Sequence, residues 1–207
     1  MEQVGPGAEG APAASLRLDG NASREPLALV FPGLRYGPER PVLHFTHRWL
    51  RRQGWAVAEV DYGFTPEAFT SVGEGEREGW IAAAAATAWA RARSEGTPRL
   101  LVGKSLGTLA LAWLLECANV PKVWLTPLLR SDDVAAALAR DAQPGLLVAG
   151  EADPATPPEA LRGLTRPGLH TLVLPRAGHD LESEDPLTSL ELLKDYLLAL
   201  TAFVEGA

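Results

Sequence analysis

The chain of 207 residues holds one cysteine, one methionine and three lysines. A single Cys117 excludes an internal disulfide framework. Its place in the apolar segment after Gly107 predicts a buried structural thiol. The three lysines stand beside 16 arginines, and the net charge of −7 leaves no basic footprint for nucleic acid or an anionic membrane. Proline, glycine or charge interrupts the most apolar stretches before they reach the length of a bilayer span. His44 and His47 lie three apart on an expected helix with no third ligand identifiable, so neither a metal nor another cofactor is expected. Residues 1–14 (MEQVGPGAEGAPAA) have no basic n-region and no apolar core, which argues against a secretory signal and for a disordered tail on a cytoplasmic protein. Residues 15–207 are then expected to form one domain, with apolar content of 46% and charged content of 22% in the ordinary globular range.

What is present centres on residues 99–107, Arg-Leu-Leu-Val-Gly-Lys-Ser-Leu-Gly. Leu100 to Val102 is a short apolar run suited to a strand buried on both faces. Thr108 to Cys117 consists mostly of good helix formers. Strand, Gly-x-Ser-x-Gly and helix in that order make a nucleophile elbow, with Ser105 in a strained backbone state and glycines where side chains would collide with neighbouring elements. The Gly-Lys-Ser tripeptide also ends a P-loop, but Pro98 occupies the position of that motif's first glycine, and an apolar strand stands where the phosphate cradle would be.

Around the elbow, apolar strands alternate with helices. Residues 14–19 alternate weakly, as an edge strand does; 27–31, 55–61, 122–126, 145–150 and 169–174 read as further strands. Helices are expected over 41–53, 75–94, about 131–140 with Ser131 as cap, 158–164 and 185–204, the last with apolar positions Leu190, Leu193, Tyr196, Leu197 and Leu200. Such alternation with short connections predicts an α/β fold: a mostly parallel central sheet covered by helices on both faces, with no lid domain.

In an open parallel sheet, the partners of Ser105 must stand at carboxyl ends of strands. Of four histidines, only His179 falls in a loop just after a strand; His44 and His47 are helical, and His170 is at the amino end of its strand. The carboxylate should follow a strand between Ser105 and His179. Asp153 fits, with Glu151 as runner-up and Asp180 too near His179 to aim at its ring. The order Ser, Asp, His suits this fold. Backbone N–H groups of Leu106 and Leu34 are the expected oxyanion donors, with Gly33 allowing close approach.

With three motifs in register, residues 103–107, 150–157 and 178–179, the stretch 27–204 resembles a small, lidless α/β-hydrolase, similar to bacterial dienelactone-hydrolase-like and carboxylesterase-like members. The resemblance implies Ser105 as nucleophile, His179 as general base and acid, and Asp153 as the orienting carboxylate. The sequence departs from it twice: dienelactone hydrolases proper carry a cysteine nucleophile, and Pro32-Gly33 stands where many relatives have His-Gly. The expected activity is hydrolysis of a small ester or thioester through an acyl-enzyme. A catalytically silent binding protein and an acyltransferase are the alternatives. Lys104 either brings its ammonium to the mouth of the site or pairs with a neighbouring acid. Tyr36 either lines the acyl pocket or covers the sheet, and Trp124 is a candidate pocket wall. The expected partner is the small-molecule substrate, with no nucleic acid or membrane; the sequence does not fix the oligomeric state.

Overall fold

The computed structural model describes residues 10–206. Residues 1–9, most of the expected tail, lie outside the described residues; Ala14, just before the first strand, is buried. Seven strands follow the apolar runs: β1 (Ser15–Asp19), β2 (Leu27–Phe31), β3 (Ala56–Asp61), β4 (Pro98–Lys104), β5 (Lys122–Leu125), β6 (Gly145–Gly150) and β7 (Leu169–Leu174). Between and after them come α1 (Pro41–Arg52), α2 (Pro66–Ser71), α3 (Glu74–Glu95), α4 (Leu106–Trp113), α5 (Asp132–Arg140), α6 (Pro158–Gly163) and α7 (Pro186–Gly206).

The strands form one sheet in the order β1-β3-β2-β4-β5-β6-β7. β1 pairs antiparallel with β3 at one edge, and every other neighbouring pair is parallel. The two-residue period of the strands divides the core. Leu29, Phe31, Leu101, Trp124 and Leu147 face the layer of α3, α4 and α5. Ala28, Val30, Val102, Val123, Leu125 and Val148 face α1 and α7. In α3, Ala84, Ala85, Ala88 and Ala92 are buried, so small side chains bring that long helix close to the sheet. The chain passes from β2 outward to β3 and returns on the other side to β4. The sheet therefore has its switch point between β2 and β4, where an open α/β sheet leaves a crevice beyond its carboxyl ends.

Four details differ from expectation. α2 occupies a stretch for which no element was expected: Thr65 Oγ1 accepts the Ala68 N–H at 3.2 Å and Pro66 starts the first turn. Cys117 is exposed rather than buried, because α4 ends at Trp113 and residues 114–116 tighten into a 3-10 turn that swings it outward. Leu190 is 62% exposed; the buried face of α7 is Leu192, Tyr196, Leu200 and Phe203. Ser131 stands at the N-cap of α5 but its hydroxyl makes no capping bond. Among the described residues no helix is long and apolar enough to cross a membrane, and no group of three or more His, Cys, Asp or Glu side chains is placed to hold a metal ion.

Candidate active site

β4 delivers Ser105 to the switch point. Its backbone lies at φ 51°, ψ −111°, a strained state for a residue with a Cβ. The flanking glycines are demanded by close approach. A Cβ on Gly103 would meet Gly107 O at 2.6 Å and a Leu111 methyl at 2.8 Å, inside α4. A Cβ on Gly107 would stand 2.2 Å from Phe31 O, inside β2. Larger residues at either position would push helix and strand apart and open the turn. Among the described residues, the non-glycine positions with positive φ are Ser105, Thr126, Arg176 and Leu181. These residues follow β4, β5 and β7, so among the described residues the non-glycine backbone strain gathers at the carboxyl ends of the strands.

The loop after β7 brings His179 over the serine. His179 Nε2 is 2.7 Å from Ser105 Oγ, and its Nδ1 is 2.8 Å from Asp153 Oδ2. Asp153, after β6, is 2% exposed, and its other oxygen accepts the Ala155 N–H at 2.8 Å. Burial alone would raise the pKa of this carboxyl; the hydrogen bonds from His179 and Ala155 and the charge of His179 outweigh it, so Asp153 is held below the ordinary aspartate value and stays ionised. Glu151 is turned elsewhere: its Oε2 accepts the Arg176 N–H at 2.9 Å, tying the loop after β6 to the loop after β7. Asp180 is exposed.

After β2, the chain makes a tight turn in which the Gly33 N–H donates to Tyr36 O at 3.0 Å and the Tyr36 N–H to Gly33 O at 3.4 Å. The turn lies against the serine, since a Cβ on Gly33 would be 3.5 Å from Ser105 Cβ. The Leu34 N–H, in this turn, makes no backbone hydrogen bond among the described residues. Leu106 is the first residue of α4, so its N–H is one of those that no helical carbonyl can accept. An open cleft of about 470 Å³ lies here, lined by Leu34, Arg35, Tyr36, Arg40, Lys104, Ser105 and His179. A groove of about 640 Å³ continues from the other side of the turn toward Tyr62 and Phe64.

Tyr36 is buried beneath the cleft; its hydroxyl accepts the Val42 N–H at 3.1 Å and donates to Asp180 O at 3.4 Å. Burial pushes its pKa up to about 12. Lys104 is fully buried and pairs with no acid: Nζ donates to Thr126 Oγ1 at 2.6 Å and to His179 O at 2.8 Å, and stands 4.6 Å from the centre of the Tyr36 ring. Desolvation brings its pKa down to about 8, against the attraction of Asp153 and Asp180. Trp124 is not brought to the cleft. It is 0% exposed, on the sheet face that α4 and α5 cover, because the strand period turns it away from the site. The site residues that sequence reasoning passed over are Thr126, Arg35 and Arg40. Thr126 directly follows β5, Arg35 lies within the Gly33–Tyr36 turn and Arg40 lies just after it, but no motif marks any of these positions.

No family model matches the sequence, and comparison with curated proteins by sequence gives no match. Solved structures are similar over nearly the whole chain. A protein of unknown function from Agrobacterium tumefaciens superposes with a TM-score of 0.71 at 18% identity, over 95% of this chain and 94% of that one. A dienelactone hydrolase from Anabaena variabilis gives a TM-score of 0.66 at 18% identity, over 95% of each chain. A member of the α/β serine hydrolases without a lid, from Xanthomonas campestris, gives 0.61 at 19% identity, over 93% of this chain and 88% of that one. The chain has the α/β-hydrolase fold.

Proposed function

We propose that the protein is a serine hydrolase that cleaves a small ester or thioester through an acyl-enzyme. One observation carries the reading: a continuous line of hydrogen bonds from Ser105 Oγ through the His179 ring to Asp153, at 2.7 and 2.8 Å, ending on a serine held in a strained elbow. Ser105 Oγ attacks the acyl carbonyl while His179 Nε2 takes its proton. Buried, ionised Asp153 holds the other ring nitrogen, fixing the tautomer and favouring the imidazolium. The N–H groups of Leu106 and Leu34 face the oxyanion; one such donor typically contributes about 3–4 kcal/mol to lowering the barrier. His179 gives the proton to the departing alkoxide or thiolate, then takes one from the water that attacks the acyl carbon and passes it to Ser105 Oγ as the acid is released. The open cleft suits an acyl group of modest size better than a long lipid chain, with Arg35 and Arg40 at its rim. The acidic chain with its lone Cys117 fits a cytoplasmic enzyme.

Hydrolysis of p-nitrophenyl esters of increasing acyl length tests the reading. Turnover with a burst of p-nitrophenol, greatest for short acyl groups and lost in Ser105→Ala, is the expected result. A folded wild type inert toward every ester and thioester contradicts it.

A further inference from the structure

Lys104 stands directly before Ser105 and is fully buried. None of the ion pairs among the described residues includes it. Burying an ammonium without a carboxylate beside it costs stability, and an apolar side chain of similar volume would fill the same space without that cost. A cation kept in such a place points to use.

Its contacts give the use. Nζ donates to the main-chain oxygen of His179, which fixes the backbone from which the imidazole projects. It donates to Thr126 Oγ1, just beyond β5 at φ 42°, and it faces the Tyr36 ring, where a desolvated cation is held more strongly than at a surface. Tyr36 closes the Gly33–Tyr36 turn and reaches the Asp180 carbonyl, one residue beyond His179. One ammonium thus touches the loop of the base, the turn of the expected oxyanion donor, and the end of the strand beside β4.

We propose that Lys104 is a positioning residue: its buried ammonium clamps the main chain of His179 and the ring of Tyr36 together, and so holds base and turn in register with Ser105. The proposal rests on the serine-hydrolase reading. The charge of the clamp is lost as pH rises through about 8. The titratable and charged groups facing it are Tyr36 from the turn, with Arg40 over that ring; Asp153 from the loop after β6; and His179 and Asp180 from the loop after β7. Thr126 and Ser105, just after β5 and β4, bring no charge. Tyr36 keeps its proton far above pH 8, so the Lys104 charge alone changes the contact with the ring there.

The test is the pH profile of kcat on a short p-nitrophenyl ester, from about pH 6 to 10, for wild type, Lys104→Met, Thr126→Val and the exposed control Lys194→Met. Wild type and control should show an alkaline fall centred near pH 8. Lys104→Met should lose roughly ten- to a hundredfold in kcat with KM little changed, as a misplaced base does, and should lack the alkaline fall. Thr126→Val removes an acceptor from the ammonium and should move the fall to lower pH. Lys104→Met with the kcat and alkaline fall of wild type overturns the proposal. Should Lys104→Met not fold, an unmoved fall in Thr126→Val overturns it and a shifted one supports it. Wild type that neither turns over an ester nor reacts with a fluorophosphonate contradicts the hydrolase reading and takes the clamp with it. Labelled wild type beside an indifferent Lys104→Met contradicts the clamp alone.

Discussion

Two lysines lie fully buried on neighbouring strands, at opposite ends of the sheet. Lys122 opens β5 at the amino end. Its Nζ is 3.2 Å from the Asp141 carboxylate and donates to Ala118 O and Val120 O, each at 3.1 Å. Asp141 in turn accepts the Gln143 N–H at 3.1 Å, and Arg166 approaches it at 3.9 Å. Charge meets charge there, and the pairs of Asp141 with Lys122 and Arg166 tie together the approaches to β5, β6 and β7. Lys104 closes β4 at the carboxyl end, where its partners are a hydroxyl, a main-chain carbonyl and a ring. The strained residues of positive φ gather at this same end, after β4, β5 and β7. One end of the sheet is built to be stable. The other holds strain and an unpaired cation around one serine, and that asymmetry is what a site placed on a rigid sheet requires.

The comparison can be broken at either end. The largest effect belongs to the carboxyl end: Ser105→Ala should lower ester turnover by roughly a thousandfold or more, read as kcat, while leaving the denaturation midpoint nearly unchanged. At the amino end, Lys122→Met leaves Asp141 buried without its partner. It should cost roughly 3–5 kcal/mol in urea denaturation, and the folded remainder should keep its kcat. A Lys122→Met protein of full stability and poor activity would invert the comparison.

Titration sharpens it. The Lys104 pKa falls from 10.5 in the open chain to about 8 in the fold, so the unfolded state binds more protons across that interval. Wild-type stability should therefore rise with pH through it, relative to Lys104→Met, by about 3 kcal/mol between neutrality and the upper end. Taking the difference between the two proteins cancels the opposing ionisation of the buried tyrosines, whose pKa values are raised by burial. The smallest effect is on stability at neutral pH. Lys104→Met relieves a buried charge but leaves the His179 carbonyl and the Thr126 hydroxyl without their donor, so the net change should stay within about 2 kcal/mol.

The sequence makes the frame legible because strands buried on both faces leave continuous apolar runs and the elbow leaves its glycines. Leu27 to Phe31, Gly145 to Gly150 and Leu169 to Leu174 appear in the structure with the bounds that their composition sets. The lines from Ser105 to His179 and Asp153 are legible from the elbow motif, the chain order and position together, since the partners of the elbow must stand at carboxyl ends of strands. Features set by distant contacts were less legible. The partners of Lys104 lie 22 and 75 residues away, so no nearby acid pairs with it, and although it lines the cleft its ammonium is taken up by Thr126 and the His179 main chain. Trp124 reads as a wall because it nears a strand end, while the strand period aims it into the core. Cys117 reads as buried only if α4 continues unbroken, and the tightened turn after Trp113 changes its direction. α2 has too few residues to show a period, although Thr65-Pro66-Glu67 carries the cap and first-turn signals.

The most direct test of the central claim is the mass of the protein after reaction with a fluorophosphonate, followed by mapping of the modified peptide. A single adduct on Ser105, formed by wild type and absent from Ser105→Ala and His179→Ala, is the predicted result. No adduct on folded wild type, or an adduct that forms as fast without His179, would contradict it.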